Sequence, residues 1–176
     1  MGRTRVYFLG TGGAVPSVRR ALPSVAVRTD SELILFDCGE GTQRQMVLAG
    51  TGFPRQMKIF ATHMHGDHVL GIPGLLQTMS LLDRTEPVEM FGPQGFKKYL
   101  DAVLRTVSFH LSFSIKVSEV WEEGLVTEGS NFQVVAAWAD HSVPSLAYAL
   151  IEKARPGRFF PDHAERLGVP KGPLWS

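Results

Sequence analysis

The stretch Thr62-His63-Met64-His65-Gly66-Asp67-His68 constrains this chain more than any other. Three imidazoles and a carboxylate fall within positions 63–68, in a chain of 176 residues that has six histidines in all. They follow the run Lys58-Ile59-Phe60-Ala61, which reads as a short buried strand, so the cluster falls where a strand opens into a loop. In α/β proteins that position is the usual place for chemistry. His63 and His65 are one residue apart and project to the same side of extended backbone. Gly66 permits a tight turn that returns Asp67 and His68 towards the same point. Neutral imidazoles and carboxylates are ligands of zinc, which normally takes three from protein and leaves one position for water. His141 follows a second apolar run, Phe132-Gln133-Val134-Val135-Ala136-Ala137-Trp138, and repeats the pattern of a histidine at the mouth of a strand.

The length suits one domain with a substantial core. Hydrophobic residues make up 44% and charged residues 20%, ordinary values for a soluble globular protein. No apolar run approaches the length of a membrane span, and no basic-plus-apolar leader stands at Met1. The single cysteine, Cys38, has no partner for an internal disulfide, which favours a reducing, cytoplasmic setting. Within Leu33-Ile34-Leu35-Phe36-Asp37-Cys38 it reads as a small buried hydrophobe rather than a ligand. The net charge of +1 does not announce a nucleic-acid binder. Its distribution is uneven, with Arg3, Arg5, Arg19 and Arg20 near the start and Lys153, Arg155, Arg158, Arg166 and Lys171 in the tail. Glu119, Glu122, Glu123 and Glu128 lie between them. Such ends suit phosphate contacts or solvated faces equally.

Along the chain, Arg5-Val6-Tyr7-Phe8-Leu9 reads as a first strand leading into the glycine-rich Gly10-Thr11-Gly12-Gly13-Ala14-Val15-Pro16. A dinucleotide fingerprint would need a third glycine at Val15 and a helix after it, so a loop close to a site is the better reading. Ser24 to Arg28 and Glu32 to Phe36 form a predicted hairpin, and Thr42 to Leu48 has helix-compatible composition. Asp37 and Glu40, at the strand exit, are placed to orient metal ligands by accepting an imidazole N–H, or to serve turn and capping chemistry. An apolar helix is expected to end near Leu82, and Pro87 to Phe91 reads as a strand. Phe96, Leu100, Val103, Leu104 and Val107 recur at helical spacing as a core stripe. His110, with no ligand-type neighbour, reads as structural. Ser114 to Val117 and Phe132 to Trp138 are assigned to a second group of strands, followed by Leu146 to Ile151. The proline-broken tail beyond shows no strong periodicity.

His63-Met64-His65-Gly66-Asp67-His68 resembles the metal motif of the metallo-β-lactamase superfamily. Phe8-Leu9-Gly10-Thr11-Gly12, Phe36-Asp37-Cys38-Gly39-Glu40-Gly41-Thr42-Gln43 and His68-Val69-Leu70-Gly71-Ile72-Pro73-Gly74-Leu75-Leu76 narrow the resemblance to the ribonuclease Z family, endonucleases that mature transfer RNA 3′ ends. The resemblance implies an α/β metallo-β-lactamase fold, an αββα sandwich, of which this chain is the amino-terminal half plus the start of the tRNA-binding arm. Residues 1–151 would form the metallo-β-lactamase-like domain and 152–176 the beginning of the arm, including Pro156-Gly157 and Gly172-Pro173-Leu174. By resemblance, His63, His65 and His141 hold one zinc, Asp67 and His68 hold a second, and Asp67 is the catalytic residue that manages the proton of the attacking water. Pro16-Ser17-Val18-Arg19-Arg20 corresponds to the family's loop near the tRNA end, with Arg19 and Arg20 binding substrate. The chain has Arg20-Ala21 where the family usually has Arg-Asn.

The family also supplies an aspartate bridging the two zincs and a last histidine on the second, neither of which is found before Ser176. Asp162 and His163 are not substitutes, because they fall in the arm. The chain is thus read as part of a ribonuclease Z, with the second zinc site incomplete, and as holding about one zinc without cleaving precursor tRNA by itself. The implied chemistry of the whole enzyme is phosphodiester hydrolysis that leaves a 3′ hydroxyl on the tRNA, performed by a homodimer without membrane association. Two rivals remain. One is another hydrolase of the superfamily, acting on a small phosphodiester or thioester. The other is a non-catalytic fragment that binds RNA or a partner.

Overall fold

The computed structural model describes residues 4–154, 159–172 and 175. Its elements are β1 (Arg5–Gly10), β2 (Ser24–Arg28), β3 (Leu33–Phe36), α1 (Thr42–Leu48), β4 (Met57–Phe60), α2 (Gly66–Val69), α3 (Ile72–Leu81), β5 (Val88–Gly92), α4 (Phe96–Thr106), β6 (Ile115–Glu119), β7 (Gly124–Glu128), β8 (Phe132–Ala139), β9 (Ser145–Glu152) and α5 (Pro161–Arg166). Strands β1 to β6 form one sheet in chain order, and β7 to β9 form a second. The first sheet begins antiparallel through β1, β2 and β3 and continues parallel through β4, β5 and β6. The second is an antiparallel meander.

The continuous apolar sequence of β3, and that of β4 apart from Lys58, follow from cover on both faces of the first sheet. Alternate side chains separate into two cores, as the period of two requires. Leu33, Leu35 and Ile59 pack with Met46 of α1, Leu75, Leu76 and Met79 of α3, and Phe96 and Leu100 of α4. Ile34, Phe60 and Phe91 face the other way, against Phe132 and Val134 of β8 and Leu146 of β9. The layers are therefore helices, six-stranded sheet and three-stranded sheet. Phe60 is the hub between the sheets, stacked on Phe36 and Phe91 at 5.2 and 4.8 Å and meeting the Tyr148 ring edge-on at 5.1 Å.

Several expectations need correction. Strand β6 belongs to the first sheet, because it pairs in parallel with β5 from Val88↔Ile115 to Gly92↔Glu119. The acidic stretch contains strand β7, which the antiparallel register with β8 holds in place. Val107 lies beyond α4 and is half exposed, so the stripe narrows to Phe96 and Leu100 as fully buried positions. The tail contains the short helix α5. Arg3, Arg155, Pro156, Gly157, Arg158, Pro173 and Leu174 lie outside the described residues. Among the described residues no helix is long and apolar enough to cross a membrane.

The position of Phe60 makes the contact between the sheets measurable. Phe60→Ala removes a fully buried ring and should lower unfolding free energy by about 3–5 kcal/mol. Equilibrium urea denaturation checks this, and a loss under about 1 kcal/mol would mean that the sheets do not pack through this ring.

Candidate metal centre

Phe36 lies opposite Phe60 in the parallel pairing of β3 and β4, so the two strands end side by side. Immediately after Phe36 the chain turns through Asp37, whose φ of 58° is left-handed. Aspartate is one of the few side chains that enter this region routinely. The turn aims its carboxylate across to the exit of β4. There Oδ1 accepts the Thr62 N–H at 2.8 Å, both oxygens lie within 3.0 Å of Thr62 Oγ1, and Oδ2 lies 2.7 Å from His68 Nδ1. Backbone bonds run in parallel with these contacts: Asp37 N–H to the Phe60 carbonyl at 2.7 Å, Cys38 N–H to the His68 carbonyl at 2.8 Å, and Gly71 N–H to the Cys38 carbonyl at 2.9 Å. The fit requires glycine at two places. A Cβ on Gly71 would lie 2.0 Å from the Gly39 oxygen, and one on Gly39 would lie 2.5 Å from the Asp67 oxygen.

His63 follows the end of β4, His65 caps α2 with φ −68° and ψ 144°, and Asp67 and His68 occupy the first turn of that helix. His141 comes from the turn between β8 and β9. It is brought to the cluster by two bonds from β9, Leu146 N–H to the Thr62 carbonyl at 2.8 Å and Tyr148 O–H to the Ala61 carbonyl at 3.1 Å. His63 Nε2 and His141 Nε2 then stand 3.1 and 3.4 Å from His65 Nδ1. One donor atom from each of the three histidines falls within 4.8 Å of the others. The His68 ring lies 4.0 Å from that of His63, and Asp67 Oδ2 lies 3.6 Å from His68 Nε2. Asp67 Oδ2 also accepts the Ala14 N–H at 3.0 Å, which ties the glycine-rich loop to the centre.

The donor set fits a metal ion. Ring nitrogens facing each other at these distances need either a proton or a cation between them. Nitrogens of a tetrahedral zinc site, with bonds of about 2.0–2.1 Å, stand roughly 3.3 Å apart. Burial lowers the pKa of His63, and the cationic forms of His68, His65 and His141 add to this against the opposing charge of Asp37, so the ring is neutral and ready to coordinate. Burial also disfavours the cation of His68, but the hydrogen bond and charge of Asp37, with Asp67, outweigh it and raise that pKa. At Asp67 burial opposes ionisation. The Ala14 N–H, His68, the residue's own backbone N–H and His63 together overcome it and hold the carboxyl below its usual range.

The structure therefore brings together His63, His65, Asp67, His68 and His141. Cys38 is fully buried in the helix-side core. Glu40 is exposed and lines a groove with Arg19 and Arg20, apart from the imidazole-orienting contacts that Asp37 makes. His110 is exposed, its carbonyl accepting the Ser80 hydroxyl at 2.7 Å. Asp162 and His163 sit exposed on α5. Two residues gain a place that the sequence reading did not give them. Thr62 lies in the motif but meets Asp37 and His63 only in the fold, and Arg44 of α1 joins the arginine-lined groove only through folding.

A family model described as Anti-Pycsar protein Apyc1 matches residues 4–143. The ribonuclease Z of Methanosarcina acetivorans is 47% identical over 172 residues, covering 98% of this chain and 56% of that protein. The chain thus spans about half the length of the curated relatives it matches. Among solved structures, the short form of human tRNase Z superposes with a TM-score of 0.74 at 32% identity, covering 88% of this chain and 66% of that one. The metallo-β-lactamase-fold protein YhfI from Bacillus subtilis gives 0.65 at 17% identity over 84% of this chain and 57% of its own, a likeness of fold alone. The fold is that of the metallo-β-lactamases.

Cys38 offers a check on the ligand set. Burial, with a smaller push from the Asp37 charge and an opposing hydrogen bond to Thr42, drives its thiol up to about 12. At pH 8 the native chain should react with a thiol-specific disulfide reagent far more slowly than the urea-unfolded chain. Equal rates would place Cys38 at the surface or in the centre.

Proposed function

The chain belongs to the family described as Anti-Pycsar protein Apyc1, its curated homologues are ribonucleases Z, and from that premise we propose that it carries the metal-binding part of a zinc-dependent endoribonuclease acting on tRNA precursors. The reaction is hydrolysis of one phosphodiester, removing the 3′ trailer and leaving a 3′ hydroxyl on the tRNA. The observation that carries this reading is the convergence of His63, His65 and His141 on one point, with Asp67 and His68 beside it. In this reading the three histidines hold one zinc, and Asp67 and His68 supply two ligands of a second. Zinc held there supplies a water whose pKa falls from about 15.7 towards 7, together with charge neutralisation at the phosphoryl oxygens.

Asp67 is the proton acceptor in this scheme. Its carboxyl is held below the usual range, so it is ionised at neutral pH, and Oδ2 is fixed by the Ala14 N–H while Oδ1 is the atom assigned to the water's proton. Arg19, Arg20 and Arg44 line the adjacent groove and are assigned to backbone phosphates of the RNA. Their loop is braced from within. Ser17 Oγ accepts the backbone N–H groups of Arg19 and Arg20 at 3.3 and 3.0 Å, and Gly12 N–H meets the Ala21 carbonyl at 2.8 Å. A homodimer is the assembly that the ribonuclease Z resemblance implies. A cytoplasmic setting accords with a tRNA substrate.

The reading is tested on the protein carrying this sequence, loaded with zinc and given a 3′-extended tRNA precursor or bis(p-nitrophenyl) phosphate. Cleavage of the precursor at the tRNA–trailer junction is expected of the whole enzyme, and zinc uptake without cleavage of these 176 residues alone. Asp67→Ala should lower turnover by several powers of ten and leave tRNA affinity nearly unchanged, because affinity resides in the phosphate contacts. Hydrolysis of the small ester alone would favour the small-substrate hydrolase. Binding of tRNA by the whole protein without cleavage would favour the non-catalytic reading.

A further inference from the structure

Thr62 stands between the Asp37 carboxylate and the His63 ring. Its Oγ1 lies 3.0 Å from Asp37 Oδ1, 2.9 Å from Oδ2, and 2.9 Å from His63 Nδ1. A hydroxyl has one proton and two lone pairs, whereas a carboxylate that receives several donors offers only lone pairs. Asp37 already receives the Thr62 N–H and His68 Nδ1. The hydroxyl proton therefore goes to Asp37, and a Thr62 lone pair is left facing His63 Nδ1. Only a protonated Nδ1 satisfies that lone pair, and this leaves Nε2 bare. Nε2 is the atom that meets His65 Nδ1 at 3.1 Å inside the histidine cluster. The opposite polarity would set oxygen lone pairs against the carboxylate and put a proton on Nε2, where it would block a cation.

We propose that Thr62 is a positioning residue for the metal, relaying the Asp37 carboxylate to His63 so that Nε2 is presented unprotonated. One carboxylate then sets the tautomer of a histidine in each ligand group, directly at His68 and through the Thr62 hydroxyl at His63. The Thr62 backbone N–H also bonds to Asp37, so the hydroxyl is held from both ends of the residue. The relay rests on the reading of His63 as a metal ligand.

The test uses the 176-residue chain with Thr62→Val, which keeps the shape and removes the hydroxyl, and Thr62→Ser, which keeps the hydroxyl. Zinc affinity is read by competition with a chelating dye, and the His63 tautomer by long-range ¹H–¹⁵N NMR of the zinc-free chain. Thr62→Val should weaken zinc binding roughly tenfold or more and lose the single Nδ1–H tautomer at His63, leaving His68 as Nδ1–H. Thr62→Ser should stay within about threefold of wild type, given the retained hydroxyl. Wild-type His63 found as the Nε2–H tautomer would overturn the proposal even if the valine variant failed to fold. So would unchanged zinc affinity in a folded Thr62→Val chain, or serine and valine variants equally impaired. A wild-type chain that takes up no zinc would sink the metal reading instead, and the His63 tautomer would still judge the relay.

Discussion

The carboxylate of Asp37 is the contact on which the rest of this architecture depends. It sits at the exit of β3, in a left-handed backbone conformation that few side chains tolerate, and it reaches the exit of the neighbouring strand. There it receives the Thr62 N–H, the Thr62 hydroxyl and the His68 ring. A carboxylate that is mostly buried is costly unless its lone pairs are occupied, and here three donors occupy them. The same bonds that satisfy the charge fix the direction in which the chain leaves β4. Because four of the five clustered residues lie within the next six positions, fixing that exit fixes most of the centre.

The remaining pieces arrive from farther away and are tied to the same exit. Strand β9 bonds to the Ala61 and Thr62 carbonyls, which carries the β8–β9 turn and His141 over the first three histidines. The glycine-rich loop after β1 reaches Asp67 through the Ala14 N–H. The electrostatics then sort themselves by partner. His63 is buried among other imidazoles and stays neutral, His68 leans on two carboxylates and holds its proton more tightly, and Asp67 is kept ionised by donors.

Much of this was legible in the sequence because it is local. The histidine motif, the apolar runs before it and before His141, and the buried Cys38 need only spacing and composition to be read. What escaped depends on pairing across the chain. Strand β6 has the alternation of any half-buried strand, and only its parallel register with β5 assigns it to the first sheet. Strand β7 lies beside Glu122 and Glu123 and owes its form to β8. Arg84 is buried and donates to the carbonyls of Pro54, Arg55, Glu86 and Pro87, bracing the approaches to β4 and β5, contacts that no local pattern announces. Thr62 was visible in the motif, but its role appears only when Asp37, 25 residues away in sequence, is set beside it.

Asp37→Asn isolates the central contact. Asparagine has nearly the same size and also tolerates a left-handed backbone, but it has one acceptor oxygen where the carboxylate has two, and its amide nitrogen cannot accept from Thr62 or His68. Zinc affinity of the folded variant, set against that of the native chain, is the most direct measurement. If Asp37 organises the centre, affinity should fall roughly ten- to a hundredfold while the near-ultraviolet circular dichroism of the aromatic core is retained. A folded Asp37→Asn chain that binds zinc as tightly as the native one would contradict the account.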